Sequence, residues 1–305
     1  MPLSADALLD RMRLKSEIVK WRTLAIVAAT LLAAAIIVRA SGVSNPSGDH
    51  IARINIDGII LEDQQRLEKI KKLKKNNNVK AVIVYINSPG GTMVGGETLY
   101  TTLRELSAAK PTAAVMGSLA ASGGYMAALG ADKIFAHAGT LTGSIGVIMQ
   151  TAEVSDLTDK IGITFNTFKS GDLKGEPSPF EKLSPKVEDV INRSIEDSYD
   201  FFVDLVKERR HIANENIAKI ADGRIFTGRQ AMKNDLVDSL GGENAAINWL
   251  ATEKNIDRNL PVKDIKMDDL PMWARQLSSK YLGGIFTKAR GDLNGLLALW
   301  EPNLF

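Results

Sequence analysis

Apolar and polar positions along the chain switch repeatedly between a period of two and a period near 3.6. Residues 51–60 alternate around Asp57-Gly58 and predict a strand or hairpin. Residues 63–75 set Leu67, Ile70 and Leu73 at helical spacing, with Lys69, Lys71, Lys72, Lys74 and Lys75 on the opposite, solvated face. Residues 80–86 (K-A-V-I-V-Y-I) form a continuous apolar run, the signature of a strand covered on both faces in a parallel sheet. A loop at 87–91, a helix at 96–109 and a strand at 111–117 follow. Further strands are expected at 133–137, 145–150 and 163–169, with a short helix at 155–161. A Gly/Pro-rich loop covers 170–179. Ser184 and Pro185 supply an N-cap and a first-turn proline for a helix that runs to about Arg210. Its apolar positions, from Val187 and Val190 to Val203 and Val206, keep the helical period. Helical pieces at 217–221 and 228–234 complete the pattern. This strand–helix rhythm predicts an α/β architecture with helices flanking a sheet.

The two ends differ from the middle. Residues 23–38 are uncharged and mostly apolar, bracketed by Arg22 and Arg39. The run is slightly short for a bilayer span, but Trp21 and the arginines extend it. Arg11, Arg13, Lys15, Lys20 and Arg22 precede it, and after Arg39 no lysine or arginine occurs until Arg53. Positive charge stays on the cytoplasmic side. The expectation is therefore an uncleaved signal anchor in the bacterial inner membrane, with the N-terminus cytoplasmic and the remainder on the periplasmic or external side. A cleaved signal peptide is the rival reading, and Arg39 sits in its only suitable cleavage site. The predicted organisation is a cytoplasmic segment 1–22, a transmembrane anchor 23–39, a linker 40–49, a main domain 50–264 and a C-terminal extension 265–305 of open role.

Composition narrows the chemistry. The 305 residues carry a net charge of +2, which gives no pull toward nucleic acid. The absence of cysteine removes disulfides, thiolate metal sites and a thiol nucleophile. His50, His137 and His211 fall in no zinc-binding pattern, so neither a metal nor another cofactor is expected. Two glycine-rich loops follow successive apolar strands: S-P-G-G at 88–91 and A-S-G-G at 121–124. In open α/β sheets ligands bind beyond the carboxyl ends of strands. The stretch G-S-L-A-A-S-G-G-Y at 117–125 reads as a strand–turn–helix corner that lifts the Ser122 hydroxyl beside free backbone amides. The amides of Gly91 and Gly123 would serve as a two-donor oxyanion hole. The plainer reading is a small-residue corner needed for close packing. A serine nucleophile needs a base. Histidine is poorly placed, and a neutral lysine performs this task in Ser–Lys dyads. Lys133, Lys169 and Lys174 are all candidates, Lys174 standing out for its loop position.

Taken together, several motifs resemble the signal peptide peptidase branch of the S49 serine protease family. They are N-S-P-G-G (87–91), M-G-S-L-A-A-S-G-G-Y (116–125), A-D-K-I-F-A (131–136), T-L-T-G-S-I-G-V (140–147), K-S-G-D-L-K (169–174) and A-D-G-R-I-F-T-G-R-Q-A (221–231). The resemblance implies Ser122 as nucleophile, Lys174 as general base and Ser144 as a supporting hydroxyl that hydrogen-bonds the lysine. It implies Gly91 and Gly123 as oxyanion donors. It further implies a crotonase/ClpP-like fold of β-β-α units, a membrane-tethered homo-oligomer whose dyad is shared between neighbouring subunits, and apolar remnant signal peptides as substrates. A sister S49 protease acting on other membrane or misfolded proteins is the alternative. An acyl-CoA-binding crotonase-type enzyme and an inactive scaffold are more distant ones.

Overall fold

The computed structural model describes residue 15, residues 18–33 and 48–266, and the backbone of 297–299. Two compact units divide at Gly48/Asp49. In the first, residues 18–33 form an exposed helix, α1. Among the described residues no helix is long and apolar enough to cross a membrane. The remainder of the span expected at 23–39 lies outside them, as do most of 1–22, 40–47 and most of the C-terminal extension.

The second unit is a mixed α/β fold. Its elements are β1 (His50–Asp57), α2 (Gln64–Lys75), β2 (Val79–Ser88), β3 (Gly90–Thr92), α3 (Met93–Ser107), β4 (Thr112–Ala121), α4 (Gly123–Ala128), β5 (Lys133–Ala136) and β6 (Leu141–Gly143). There follow α5 (Ser155–Lys160), α6 (Pro185–Arg210), α7 (Asn214–Ile217), β7 (Ile225–Thr227), α8 (Gly228–Lys233), β8 (Ser239–Leu240), α9 (Glu243–Lys254), β9 (Val262–Asp264) and β10 (Leu297–Leu299). An eight-stranded sheet has the path β7-β6-β4-β2-β1-β9, and β5 joins β4 to β8. All its pairings are parallel except β6 with β7. β4 is shared lengthwise: Ala113–Met116 pair with β5, and Leu119–Ala121 pair with β6.

Both faces of the central strands are covered, as the continuous apolar run predicts. Val82, Val84 and Ile86 of β2 enter the larger core with Ile70, Leu103, Met126 and Phe202. Ala81 and Ile83 enter the smaller one with Phe135, Trp249 and Leu250. Burial on two faces explains the uninterrupted apolar run from Ala81 to Val84 at the centre of this strand.

The long helix begins as its sequence demands. The Ser184 hydroxyl accepts from the Val187 amide at 3.3 Å, with Pro185 in the first turn. Val187 is buried in its first turn, and its C-terminal half packs through Phe202, Val203 and Val206. Arg209 donates to the Leu129 and Ala131 carbonyls (2.9 and 3.1 Å), which end the short helix α4.

Several expected elements differ. Residues 51–60 form a strand and no hairpin: Gly58 takes φ +71° and the chain leaves the sheet. In place of the strand expected at 145–150, Leu141–Gly143 pair with Leu119–Ala121 of β4, and the Thr140 and Thr142 hydroxyls add bonds to β4 carbonyls. Residues 163–169 are not a strand. Ile163, Phe165 and Phe168 lie exposed, and among the described residues no strand runs alongside. A stacked Phe165–Phe180 pair, with centroids 3.9 Å apart, holds the segment to the 170s loop instead. The piece at 217–221 is helical only up to Ile217.

β9 is held to β1 by a bidentate clamp. Arg53 Nε and Nη2 donate to Asp264 Oδ1 and Oδ2 at 2.6 and 2.8 Å, and Nη1 donates to Glu243 at 2.8 Å. The hydrogen bond from Arg53 holds the Asp264 carboxyl below its usual range. A depressed carboxyl stabilises the fold above its unfolded pKa and loses that contribution as pH falls through the folded value. Asp264→Asn should therefore lower stability at neutral pH by about 1 kcal/mol or less, the pair being partly exposed. In urea titrations the difference from the parent should vanish in strong acid.

Candidate active site

Ser122 terminates β4 and caps α4, at the carboxyl end of the strand in the middle of the sheet. Its backbone takes φ 53°, ψ −120°, a conformation that costs a non-glycine residue energy and persists only where surrounding contacts enforce it. Those contacts are visible. The Ser122 amide donates to the Gly143 carbonyl at 2.8 Å, and its carbonyl accepts from the Met126 amide at 2.9 Å. Ser122 is 1% exposed, and its Oγ has no hydrogen-bond partner. A buried hydroxyl without a partner carries a desolvation cost, so it marks a group held for chemistry or for an absent partner.

The same geometry brings in Ser144. The pair Ala121/Gly143 closes the β4–β6 register, so Ser122 and Ser144 leave adjacent strands side by side. Ser144 has φ 50° and is buried, and its amide donates to the Arg224 carbonyl at 2.8 Å. Gly143, at φ +84°, leaves no room for a side chain: a Cβ would lie 2.7 Å from the Phe226 ring. Of the other non-glycine residues with positive φ, His211 and Asn255 end helices and Asp235 follows α8. The two serines are bent for neither reason.

The first glycine loop closes on this corner. A Cβ on Gly124 would meet the Ser88 carbonyl at 2.9 Å, and one on Gly96 would lie 3.5 Å from the Gly123 Cα. The Ser88 hydroxyl in turn accepts from the Gly90 amide at 3.0 Å. Gly91 sits in β3 against Ile60, where a Cβ would fall 1.8 Å from the Ile60 carbonyl oxygen. Gly91→Ala must therefore displace β3 from Ile60. We expect a stability loss of about 1–3 kcal/mol, as for overpacking elsewhere, together with loss of activity. Thermal unfolding beside a turnover assay checks both.

The lysine candidates separate. Lys133 pairs in register with Ala113, nine residues before Ser122, which places it about 30 Å away at the strand's other end. It is bound to Glu253 at 3.1 Å and lies over Trp249. Lys169 is bonded to Glu176 and, at 2.8 Å, to Glu181. The hydrogen bonds to Glu176 and then Glu181 raise its pKa, which disfavours the neutral amine a base requires. Among the described residues Lys174 has no carboxylate partner, and it is exposed in the loop that Lys169 braces. Within the single chain its amine is not bonded to Ser122 Oγ. The histidines are elsewhere. His50 opens β1, His211 ends α6, and His137 is exposed beside Gly242 and lines a different cavity, of about 400 Å³, with Arg53, Tyr85 and Glu243.

A family model described as peptidase family S49 matches residues 104–257. The chain belongs to peptidase family S49. The match takes in Ser122, Gly123, Ser144 and Lys174. Among curated relatives, a putative protease of Synechocystis sp. is 38% identical over 226 residues, covering 74% of this chain and 82% of the relative. A putative signal peptide peptidase SppA of Enterococcus faecium is 34% identical, covering 69% and 65%. Protease 4 of Haemophilus influenzae is 32% identical, and the alignment takes 72% of this chain but 37% of that longer protein. Among solved structures, a ClpP1 mutant of Listeria monocytogenes aligns at 18% identity and TM-score 0.42, covering 64% of this chain and 93% of that one.

Two supports of the site escaped the sequence reading. Thr140 donates its hydroxyl to the Gly117 carbonyl (2.7 Å) and Thr142 to the Ala120 carbonyl (2.6 Å), tying β6 to the strand that carries Ser122. Their spacing of two within T-L-T-G-S was the available signal.

Proposed function

We propose that this S49 protease is a serine endopeptidase working through a Ser122–Lys174 dyad, with released signal peptides as substrates. The observation that carries the reading is the buried, partnerless Ser122 Oγ on a strained strand end. In the proposed cycle the neutral Lys174 amine takes the Ser122 proton as Oγ attacks the peptide carbonyl. The Gly91 and Gly123 amides receive the developing oxyanion, where each donor is typically worth ~3 kcal/mol. The resulting ammonium protonates the leaving amine, and water then cleaves the acyl-serine by the reverse path. Ser144 accepts a hydrogen bond from the ammonium or donates one to the free amine, and so orients it.

In this reading the dyad closes between subunits. Lys174 lies on an exposed segment that also presents Ile161, Ile163, Phe165, Leu173 and Phe180, with Phe168 at 98% exposure. So much exposed apolar surface on one stretch suits a contact with a second copy. The succession β2–β3–α3 is one β-β-α unit, in keeping with a crotonase/ClpP-like fold. Tethering to the inner membrane through 23–39, with this unit on the periplasmic or external side, rests on the apolar run and its flanking charge. Extraction of the full chain from membranes by detergent but not by alkaline carbonate is the expected result.

A fluorophosphonate probe tests the nucleophile. It should label the parent and fail on Ser122→Ala; labelling that survives the substitution would refute the assignment. Cleavage of isolated signal peptides against a misfolded membrane protein tests the substrate. Since only the free amine accepts a proton, the rate should climb with pH until the lysine is neutral. A peptide-hydrolysis profile peaking well below neutrality would exclude lysine as the base.

A further inference from the structure

The lysine-rich face of α2 takes no part in the chemistry above. Residues 66–80 carry seven lysines and arginines against one glutamate, although the whole chain has a net charge of only +2. Leu67, Ile70 and Leu73 are buried, so α2 is fixed to the unit by its apolar side and offers no exposed apolar side chain. Lys71, Lys72, Lys74 and Lys75 are exposed. Lys71 pairs with Glu68 at 3.4 Å, and among the described residues Lys72, Lys74 and Lys75 have no carboxylate partner. Cations do favour a helix C-terminus. That end is already served by Lys110, whose Nζ donates to the Asn76 and Val79 carbonyls at 2.9 and 2.7 Å. Burial, and then the charge on Lys80, lower the Lys110 pKa, so positive charge is crowded at this corner.

The same corner is where the chain enters this unit. The His50 amide, which opens β1, donates to the Asn78 carbonyl at 2.8 Å, and Asp49 pairs with Lys80 at 3.2 Å. Ten residues, 40–49, reach at most about 35 Å when fully extended. An anchor that ends at residue 39 therefore keeps the patch within that distance of the bilayer surface. We propose that the lysine face of α2, together with Lys80 and Lys110, is a docking surface for an anionic lipid bilayer. Lipid phosphates meet the ammonium groups at headgroup level, and nothing inserts, because α2 exposes no apolar side chain. Nucleic acid would feel the same charge. The place of the patch beside the linker favours lipid. Docking turns the amino ends of β1 and β2 toward the bilayer and leaves Ser122, at the carboxyl end of β4, on the far side. Substrates then reach the site only after leaving the membrane. The reach of the linker rests on the proposed anchor; the charge of the patch does not.

The test mixes full-length protein with vesicles of phosphatidylcholine, alone or with about 30% phosphatidylglycerol, and floats them. Light acetylation followed by mass spectrometry then reads each lysine. On the anionic vesicles Lys72, Lys74 and Lys75 should react about fivefold more slowly than on the neutral ones, a difference that about 0.5 M NaCl removes. The exposed Lys219 and Lys233 should react alike on both. Each lysine near such a surface strengthens binding about fivefold, so replacing Lys72, Lys74 and Lys75 by glutamine weakens it about a hundredfold. Lys71 should then lose its protection, and the corresponding triple arginine variant should keep it. Equal reactivity on the two vesicle types would overturn the docking surface. Protection that survives high salt would overturn its electrostatic basis. Protection by a DNA duplex or by inorganic phosphate as strong as by the anionic vesicles would overturn its assignment to lipid. Flotation with both vesicle types but equal lysine reactivity would leave the anchor standing without the docking surface. Flotation with anionic vesicles alone, with the lysines protected, would leave the docking surface standing without the anchor.

Discussion

Ser122→Ala should reduce peptide hydrolysis by at least ~10⁴-fold while the protein keeps its fold and its assembly. The size follows from what is removed. In the proposed mechanism no acyl intermediate forms without Oγ, and only the Gly91 and Gly123 amides and substrate binding remain to assist water. The expected stability change is small, and its sign is informative. Ser122 Oγ is buried and without a hydrogen-bond partner, so deleting it removes an unsatisfied polar atom instead of breaking a bond. The strain at φ 53° persists with alanine, because it belongs to the backbone. A variant that unfolds slightly above the parent while losing turnover would show the exchange of stability for function expected of a nucleophile. A turnover loss below tenfold would exclude Ser122 as the attacking group.

What the sequence disclosed about this corner, and what it withheld, divide along a physical line. Local rules were sufficient for α6, where Ser184, Pro185 and the 3.6-residue apolar period agree, and for β2, whose unbroken apolar run reports burial on two faces. They failed for 163–169, where alternation implied a half-buried strand but, among the described residues, no neighbouring strand completes a ladder. They also failed at 145–150, since the side chains that bind β6 to β4 are threonine hydroxyls, polar residues that periodicity counts as breaks. At the site, Ser122 and both glycine loops were legible because each local motif requires its backbone geometry. The proximity of Ser144 was not legible from spacing, since it arises from the Ala121/Gly143 register between strands 22 residues apart. The lysine was ambiguous for the same reason. Only the placement of Glu176, Glu181 and Glu253 shows which two of the three amines are already engaged.

Lys174→Ala should abolish turnover about as completely as loss of the serine, because a nucleophile and its base act as one unit and their effects do not add. The informative experiment mixes the two inactive proteins. Each Ser122→Ala subunit retains Lys174, and each Lys174→Ala subunit retains Ser122. If one subunit completes its neighbour's dyad across a head-to-tail interface, random reassembly from equal amounts gives about one quarter of the sites both groups, and that share of parental activity returns. If the dyad closes within one chain, no site in the mixture is complete and activity stays at background. The single chain favours the first result: Ser122 Oγ is buried without a partner, while Lys174 is exposed on a segment whose apolar residues face solvent. Both groups lack what the other supplies. A further substitution, Phe168→Asp, places a charge on the most exposed aromatic of that segment and should prevent recovery in the mixture by opposing assembly. Sedimentation of the same samples separates a failure to assemble from a failure to react. Full assembly with no recovered activity would return the search for the base to groups within the Ser122 chain.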